Sequence, residues 1–227
     1  MDLLAIDLGK QSFHIHGITS EGEIISRKVS RVKFKDVVAS LAPVTVAMEA
    51  CANAHHWGCQ FEALGCMVRL IHPRFVKPFV KGSKNDAVDA DAIYEAALRP
   101  TMRFVPVKTT EQQDLQMIHR TRDRLITQRT ALINHIRGLL AEYGVVIPVG
   151  AFRFRNNIAD AVASAALSRL AADMFTALIT KFQILDTRIA ELDRKLVDIC
   201  RTNEQCRRLA NTTRRRSGRC HCPCGSY

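Results

Sequence analysis

The sequence lacks any long apolar run. No apolar stretch approaches the roughly 20 residues that a membrane-spanning helix needs, and the first residues lack the basic, apolar and small-residue segments of a secretion signal. We therefore expect a soluble protein of the cytoplasm with no membrane partner.

Acidic residues are also scarce. The chain has 33 lysines and arginines against 22 aspartates and glutamates, a net charge of +11. Residues 1–100 are nearly neutral, with 12 basic side chains against 11 acidic ones, so most of the excess follows residue 100. This distribution favours a polyanionic partner, most simply nucleic acid, although basic proteins without such a partner are common.

Glycine and proline are almost absent between residues 111 and 143, where Gly138 is the single exception. Apolar side chains recur there every seven residues, which predicts a long amphipathic helix. Arg122 and Arg129 occupy its alternate seam positions. A second helical block, about 159–208, has apolar residues alternately three and four apart from Phe175 to Ile199. We predict an antiparallel coiled-coil hairpin, and a role in dimerisation fits the pattern equally well.

Short apolar runs dominate the first hundred residues. Strands are predicted at 3–8, 44–49 and 67–71, with two alternating segments after the first strand and helices between the later ones. This order indicates an α/β sheet covered by helices. Asp7 and Glu49 each end an apolar strand, at the edge where such sheets form their sites.

Two further acids, Asp86 and Asp89, lie three residues apart at the start of a predicted helix, so they share one face. Four carboxylates from separate elements cannot share a pocket without cations, and Mg²⁺ prefers such oxygen ligands. Two Mg²⁺ ions would suit phosphoryl transfer on nucleic acid by an RNase H-like fold. The alternative is an acidic helix start that complements the helix dipole, beside ordinary acids at strand ends.

Several separate blocks carry a family resemblance. They are Ala-Ile-Asp-Leu-Gly-Lys at 5–10, Met-Glu-Ala-Cys-Ala-Asn-Ala-His-His-Trp at 48–57, His-Pro-Arg-Phe-Val-Lys-Pro-Phe at 72–79 and Lys-Asn-Asp-Ala-Val-Asp-Ala at 84–90. In this order they resemble the DEDD-type insertion-sequence transposases, the group that includes the pilin-gene invertase, over about residues 2–145. The resemblance implies that Asp7, Glu49, Asp86 and Asp89 are catalytic metal ligands, and it leaves Asp91 as a solvated helix acid.

The resemblance also implies an organisation and partners. We expect a RuvC-like, RNase H-like domain over residues 1–106 and a helical coiled-coil region over 107–210, through which the protein forms a homo-oligomer. The partners would be the DNA ends of the element, its target DNA and an element-encoded guide RNA, in the nucleoid of a bacterium. In the family, a serine of a C-terminal domain attacks the DNA.

Basic side chains expected to face phosphate fall in two groups, for which a solvated surface is an equally open interpretation. They are Lys77, Lys81 and Lys84 near the acids, and Arg120, Arg122, Arg124, Arg129 and Arg137 on the first long helix.

Residues 211–227 do not resemble the C-terminal domain that the family would have at this point. Synonymous codons for these residues exist that, when translated one nucleotide downstream, encode an apolar run after a Pro-Gly-x-Gly turn. That shifted sequence resembles the start of the family's C-terminal domain. We therefore expect an out-of-frame tail in place of that domain, so Ser217 is not the nucleophile. One alternative is a metal site at Cys220, His221, Cys222 and Cys224, but the paired spacing of structural zinc sites is missing. The other alternative is that the arginines of this segment form a basic tail for nucleic acid.

The function predicted from these observations is metal-dependent transposition of an insertion sequence by a truncated chain. The alternatives are a RuvC-like junction nuclease, an ATPase of the actin and sugar-kinase type, and a non-catalytic coiled-coil protein that binds nucleic acid.

Overall fold

A computed structural model of the chain describes residues 2–81 and 85–202. The chain divides into two compact units, Met1–Glu111 and Gln112–Tyr227. The predictions for Lys84 and for the tail at 211–227, including Ser217 and its cysteines, lie outside the described residues. None of the described helices is long and apolar enough to cross a membrane.

The first unit is built on a six-stranded mixed sheet in the order β3-β2-β1-β4-β5-β6. Strands β1 to β3 form an antiparallel meander, β1, β4 and β5 run parallel, and β6 is antiparallel to β5. The strands are Leu3–Leu8, Ser12–Ile18, Ile24–Ser30, Thr45–Glu49, Met67–Ile71 and Phe104–Val105. The prediction of an α/β mixed sheet of the RNase H-like kind is confirmed.

Helices cover both faces of this sheet because the side chains of each strand alternate between them. On one face, Leu4, Ile6 and Met48 belong to a core that also contains side chains of α1 and α2. On the other, Ala5 and Ala47 pack with side chains of α4. The helices of this unit are α1 at Arg31–Ala39, α2 at Ala54–Glu62, α3 at Pro73–Val76 and α4 at Asp86–Ala97.

The second unit consists of α5 at Thr110–Ala141, α6 at Ala151–Ser164 and α7 at Arg169–Thr202. Helices α5 and α7 run antiparallel, since Arg122 pairs with Asp193 while Arg129, one heptad later, pairs with Asp186, one heptad earlier. Their apolar seams enclose a core with α6 that includes the fully buried side chains of Phe154 and Phe182. The hairpin is thus antiparallel, with a third helix in its turn.

The prediction of one continuous helical block at 159–208 was wrong. Helix α6 begins eight residues earlier, and Ala165 adopts an extended conformation that ends it. Helix α7 then begins at Arg169, after Ser168, whose side-chain oxygen accepts a hydrogen bond from the N–H of Ala171 at 3.2 Å. Sequence periodicity missed this break because no glycine or proline marks it.

Candidate acidic site

The carboxyl ends of two parallel strands place the first two predicted acids. Ile6 of β1 pairs in register with Met48 of β4, so the next residues, Asp7 and Glu49, lie side by side. Both are partly buried, and strand alternation puts them on the face of the sheet that α4 covers. The pairing register fixes this placement, because a shift by one residue would turn an acid to the opposite face of the sheet, against the core that contains side chains of α1 and α2.

The first turn of α4 supplies the other two acids. The side chain of Asn85 caps this helix by accepting a hydrogen bond from the N–H of Ala87 at 3.2 Å. Asp86 is exposed and Asp89 is partly buried. The cap therefore fixes where the helix begins, and with it the positions of both carboxylates.

The four acids act on one another electrostatically. The pKa of Asp7 is raised from 3.8 to about 6, first by burial and then by the negative charges of Asp89, Asp86 and Glu49. A hydrogen bond from the backbone N–H of Leu8 acts in the opposite direction. The structure thus brings the three other predicted carboxylates within electrostatic range of Asp7.

Carboxylate oxygens are the donors that Mg²⁺ prefers, so the donor set fits this ion. However, among residues 2–81 and 85–202 no three histidine, cysteine, aspartate or glutamate side chains form a group that could hold a metal ion. The four-ligand site therefore stays a prediction, and binding would require these side chains to draw closer together.

Two basic residues beside the acids were missed from sequence. His14 of β2 lies opposite Asp7 of β1 and opposite Lys28 of β3. The Lys28 Nζ is 4.0 Å from Oδ2 of Asp86, and Nε2 of His14 is 2.9 Å from Oγ of Ser26. Burial lowers the pKa of His14, and the carboxylate of Asp86 opposes this effect. The alternation of side chains along β2 and β3 predicts which residues share a face of the sheet. Only the pairing register shows that His14 and Lys28 lie on the face that carries the acids.

Asp91 is more than the solvated helix acid that we expected. Its Oδ1 is 3.5 Å from Nε2 of His16, and 45% of its side chain is exposed. His16 is buried and its ring meets Tyr94 edge-on, with ring centroids 5.2 Å apart. Asp91 therefore helps to satisfy a buried histidine where α4 packs on β2.

Cys51 is the remaining reactive side chain near the acids. Burial, followed by the charges of Glu49 and Asp7, raises the pKa of its thiol to about 11. The thiol is therefore protonated at neutral pH and is a poor nucleophile.

Three of the arginines predicted to face phosphate make contacts inside the helical unit. Arg122 pairs with Asp193, and NH1 of Arg129 lies 2.7 Å from Asp186. Nε of Arg137 donates a hydrogen bond to a backbone carbonyl at 2.9 Å. A phosphate would have to compete with each of these contacts.

Four of the other predicted basic residues are exposed: Lys77, Lys81, Arg120 and Arg124. The ammonium of Lys81 donates a hydrogen bond of 2.6 Å to the carboxylate of Glu95, and this hydrogen bond, followed by the charge of Glu95, raises the pKa of Lys81. Lys77, Arg120 and Arg124 have exposed side chains. These three are open to a polyanion in the part of the chain that the structure describes.

A sheet with acids at the carboxyl ends of its parallel strands and at the start of the covering helix is an arrangement suited to phosphoryl transfer. A family described as transposases, of the DEDD and IS110 type, matches residues 4–145. The chain therefore belongs to this transposase family, which confirms the resemblance noted from its sequence blocks.

Two relatives illustrate the similarity. The transposase for insertion sequence element IS1111A of Coxiella burnetii is 42% identical over 214 residues, which cover 91% of this chain and 58% of that protein. The transposase for insertion sequence element IS1328 of Yersinia enterocolitica is 38% identical over 208 residues, with coverage of 91% and 62%. The chain thus spans less than two thirds of the length of these relatives.

Proposed function

We propose that this chain acts on DNA as the metal-dependent, RuvC-like part of an insertion-sequence transposase. The observation that carries the proposal is the register of β1 and β4, which places Asp7 beside Glu49 on the face of the sheet that α4 covers. The carboxylates of Asp86 and Asp89 at the start of α4 act on Asp7 there and, together with its burial, raise its pKa. A fold gains no stability from placing like charges around a partly buried acid. The arrangement is understandable if a cation completes it.

Asp7, Glu49, Asp86 and Asp89 would hold Mg²⁺, in a site for two ions. When bound, the ions would supply charge stabilisation for the attacking and leaving oxygens of a phosphodiester. The protein contributes the placement of the ligands: the register of β1 and β4 positions Asp7 and Glu49, and the cap at Asn85 positions the helical pair.

Partners follow from the family. We propose that the substrates are the DNA ends of the element and its target, that an element-encoded RNA guides the reaction, and that the chain works in the nucleoid. The resemblance assigns DNA attack to a serine outside the matched region, so residues 4–145 would provide the acidic half of the chemistry. The α5–α7 hairpin would serve as the coiled coil through which copies associate.

The metal site can be tested without knowing the DNA sequence. We expect Mg²⁺ to raise the thermal midpoint of the wild-type chain, and calorimetry to detect binding. Replacement of Asp7 or Asp89 by Asn should abolish both effects, whereas Asp36→Asn, an exposed acid on α1, should preserve them. Equal Mg²⁺ responses of all four proteins would contradict the proposed site.

DNA chemistry needs a separate assay. Labelled element ends and target DNA are incubated with the chain and Mg²⁺. Because the resemblance assigns the attack on DNA to a serine outside residues 4–145, we expect the chain to bind the DNA but to form no joined product. Simple cleavage that requires Mg²⁺ and is lost in the Asp7→Asn variant would instead indicate a junction nuclease, and joined product would refute the assignment of the attack to that serine.

A further inference from the structure

A strip of hydrogen-bond donors lies beside the acids on the same face of the sheet. It consists of His14 on β2 and of Ser26, Lys28 and Ser30 on β3. Because side chains alternate along a strand, the pairing of Asp7 with His14 and of His14 with Lys28 puts all three on one face. The meander thus continues the acidic site sideways as a polar surface.

This strip is open. Strand β3 is the edge strand of the sheet, and its three donor side chains are exposed. Hydroxyl and ammonium groups are the side chains that proteins commonly use to contact DNA phosphates. The strip therefore has both the access and the chemistry for a phosphate backbone.

An ion pair between Lys28 and Asp86 lies where the strip of donors meets the acidic site. The ammonium of Lys28 lies 4.0 Å from the carboxylate of Asp86, and 64% of each side chain is exposed. An ion pair so open to solvent adds little to stability. The fold therefore does not depend on Lys28, and its charge remains available to a ligand.

The geometry sets which phosphate would reach Lys28. Strand β3 is two strand spacings from β1, about 10 Å, but the ammonium of Lys28 reaches to 4.0 Å from the carboxylate of Asp86. A phosphate bound by Lys28 would therefore lie beside the acids, next to the phosphate that reacts there.

We propose that Lys28, flanked by the hydroxyls of Ser26 and Ser30, binds a phosphate of the DNA strand next to the reacting position. This inference rests on the proposed function and adds to it the path of the strand, which crosses β2 and β3 as it leaves the acids. Lys28 is a substrate-binding residue that sets register and does not take part in the chemical step.

The salt dependence of DNA binding tests the inference. The affinity of the full chain for a fluorescein-labelled 30-base-pair duplex is measured by anisotropy at several salt concentrations, with Mg²⁺ present. Loss of one phosphate contact lowers the slope of log affinity against log salt by about 0.9. We expect this decrease in Lys28→Ala, with most of the slope restored in Lys28→Arg.

Arg27 provides the matched control. It is the preceding, equally basic and exposed residue of β3, but it pairs with Ile15 and so points to the opposite face. Arg27→Ala should keep the wild-type slope. Thermal midpoints and their rise with Mg²⁺ should be the same in Lys28→Ala as in the wild type.

The outcomes are distinct. A wild-type slope in Lys28→Ala, or an equal decrease in Arg27→Ala, would overturn the inference while leaving DNA binding and the proposed function intact. Loss of the Mg²⁺ response in Lys28→Ala would also overturn it, because Lys28 would then act through Asp86. Failure of the wild-type chain to bind the duplex would remove both the inference and the proposed function.

Discussion

Replacement of Asp7 by Asn should stabilise the metal-free protein at neutral pH. The carboxyl of Asp7 has a pKa of about 6 in the fold against an ordinary value of 3.8. This difference corresponds to about 3 kcal/mol, at about 1.4 kcal/mol for each tenfold change. Because Asp7 keeps partial contact with solvent, screening reduces the effect, and we expect a gain of about 1–2 kcal/mol.

The gain should depend on pH in a defined direction. The folded state retains the proton of Asp7 up to about pH 6, whereas the unfolded chain releases it near 3.8. Wild-type stability therefore falls as the pH rises through this interval. Asn cannot ionise, so the variant and the wild type should be equally stable below about pH 4, with the full difference above pH 7.

Urea unfolding of both proteins in a chelator, between pH 4 and pH 8, measures the difference directly. Asp36→Asn serves as the control, since Asp36 is exposed on α1, and it should match the wild type throughout. With Mg²⁺ added at pH 7.5, the wild type should gain stability and Asp7→Asn should not. A variant that is less stable at pH 7.5, or a gain independent of pH, would refute the reasoning.

Two further predictions concern the fold. Asp186→Asn should cost about 2–3 kcal/mol in urea unfolding, because Asp186 is 16% exposed and pairs with both Arg129 and Arg155; an unchanged midpoint would mean that these pairs contribute nothing. Gly9→Ala should cost about 1–3 kcal/mol by the same measurement, because a methyl group there would overlap the backbone carbonyl oxygen of Ser12; full stability would show that the β1–β2 turn relaxes freely.

The strands and the four acids could be predicted because their signals are local. The run at Leu3–Leu8 is a strand at the predicted bounds, and the acid at its end follows from the apolar pattern alone. In contrast, the partners of Arg122 and Arg129 lie 71 and 57 residues away in sequence. No local pattern distinguishes a guanidinium that pairs across a hairpin from one that faces solvent.

Lys28 illustrates a second limit. The sequence of a short edge strand does not reveal which of its faces lies beside the acids, because that depends on its register against β2. Once His14 is known to pair with Lys28 and with Asp7, the assignment is immediate. The pairing of strands joins residues that are apart in the sequence, whereas the alternation of residue types is a local pattern.

The two arginine–aspartate pairs of the hairpin have a consequence for its alignment. A seam that repeats every seven residues looks the same after a shift of seven, so apolar packing alone accepts several alignments of α5 against α7. Arg122 and Arg129 are seven apart, as are Asp186 and Asp193, and both pairs form together in only one alignment. A shift by one heptad would leave one arginine and one aspartate without their partners. The charges therefore favour a single alignment. Because either pair alone is satisfied only in that alignment, both pairs would have to be removed before the hairpin could settle one heptad out of place.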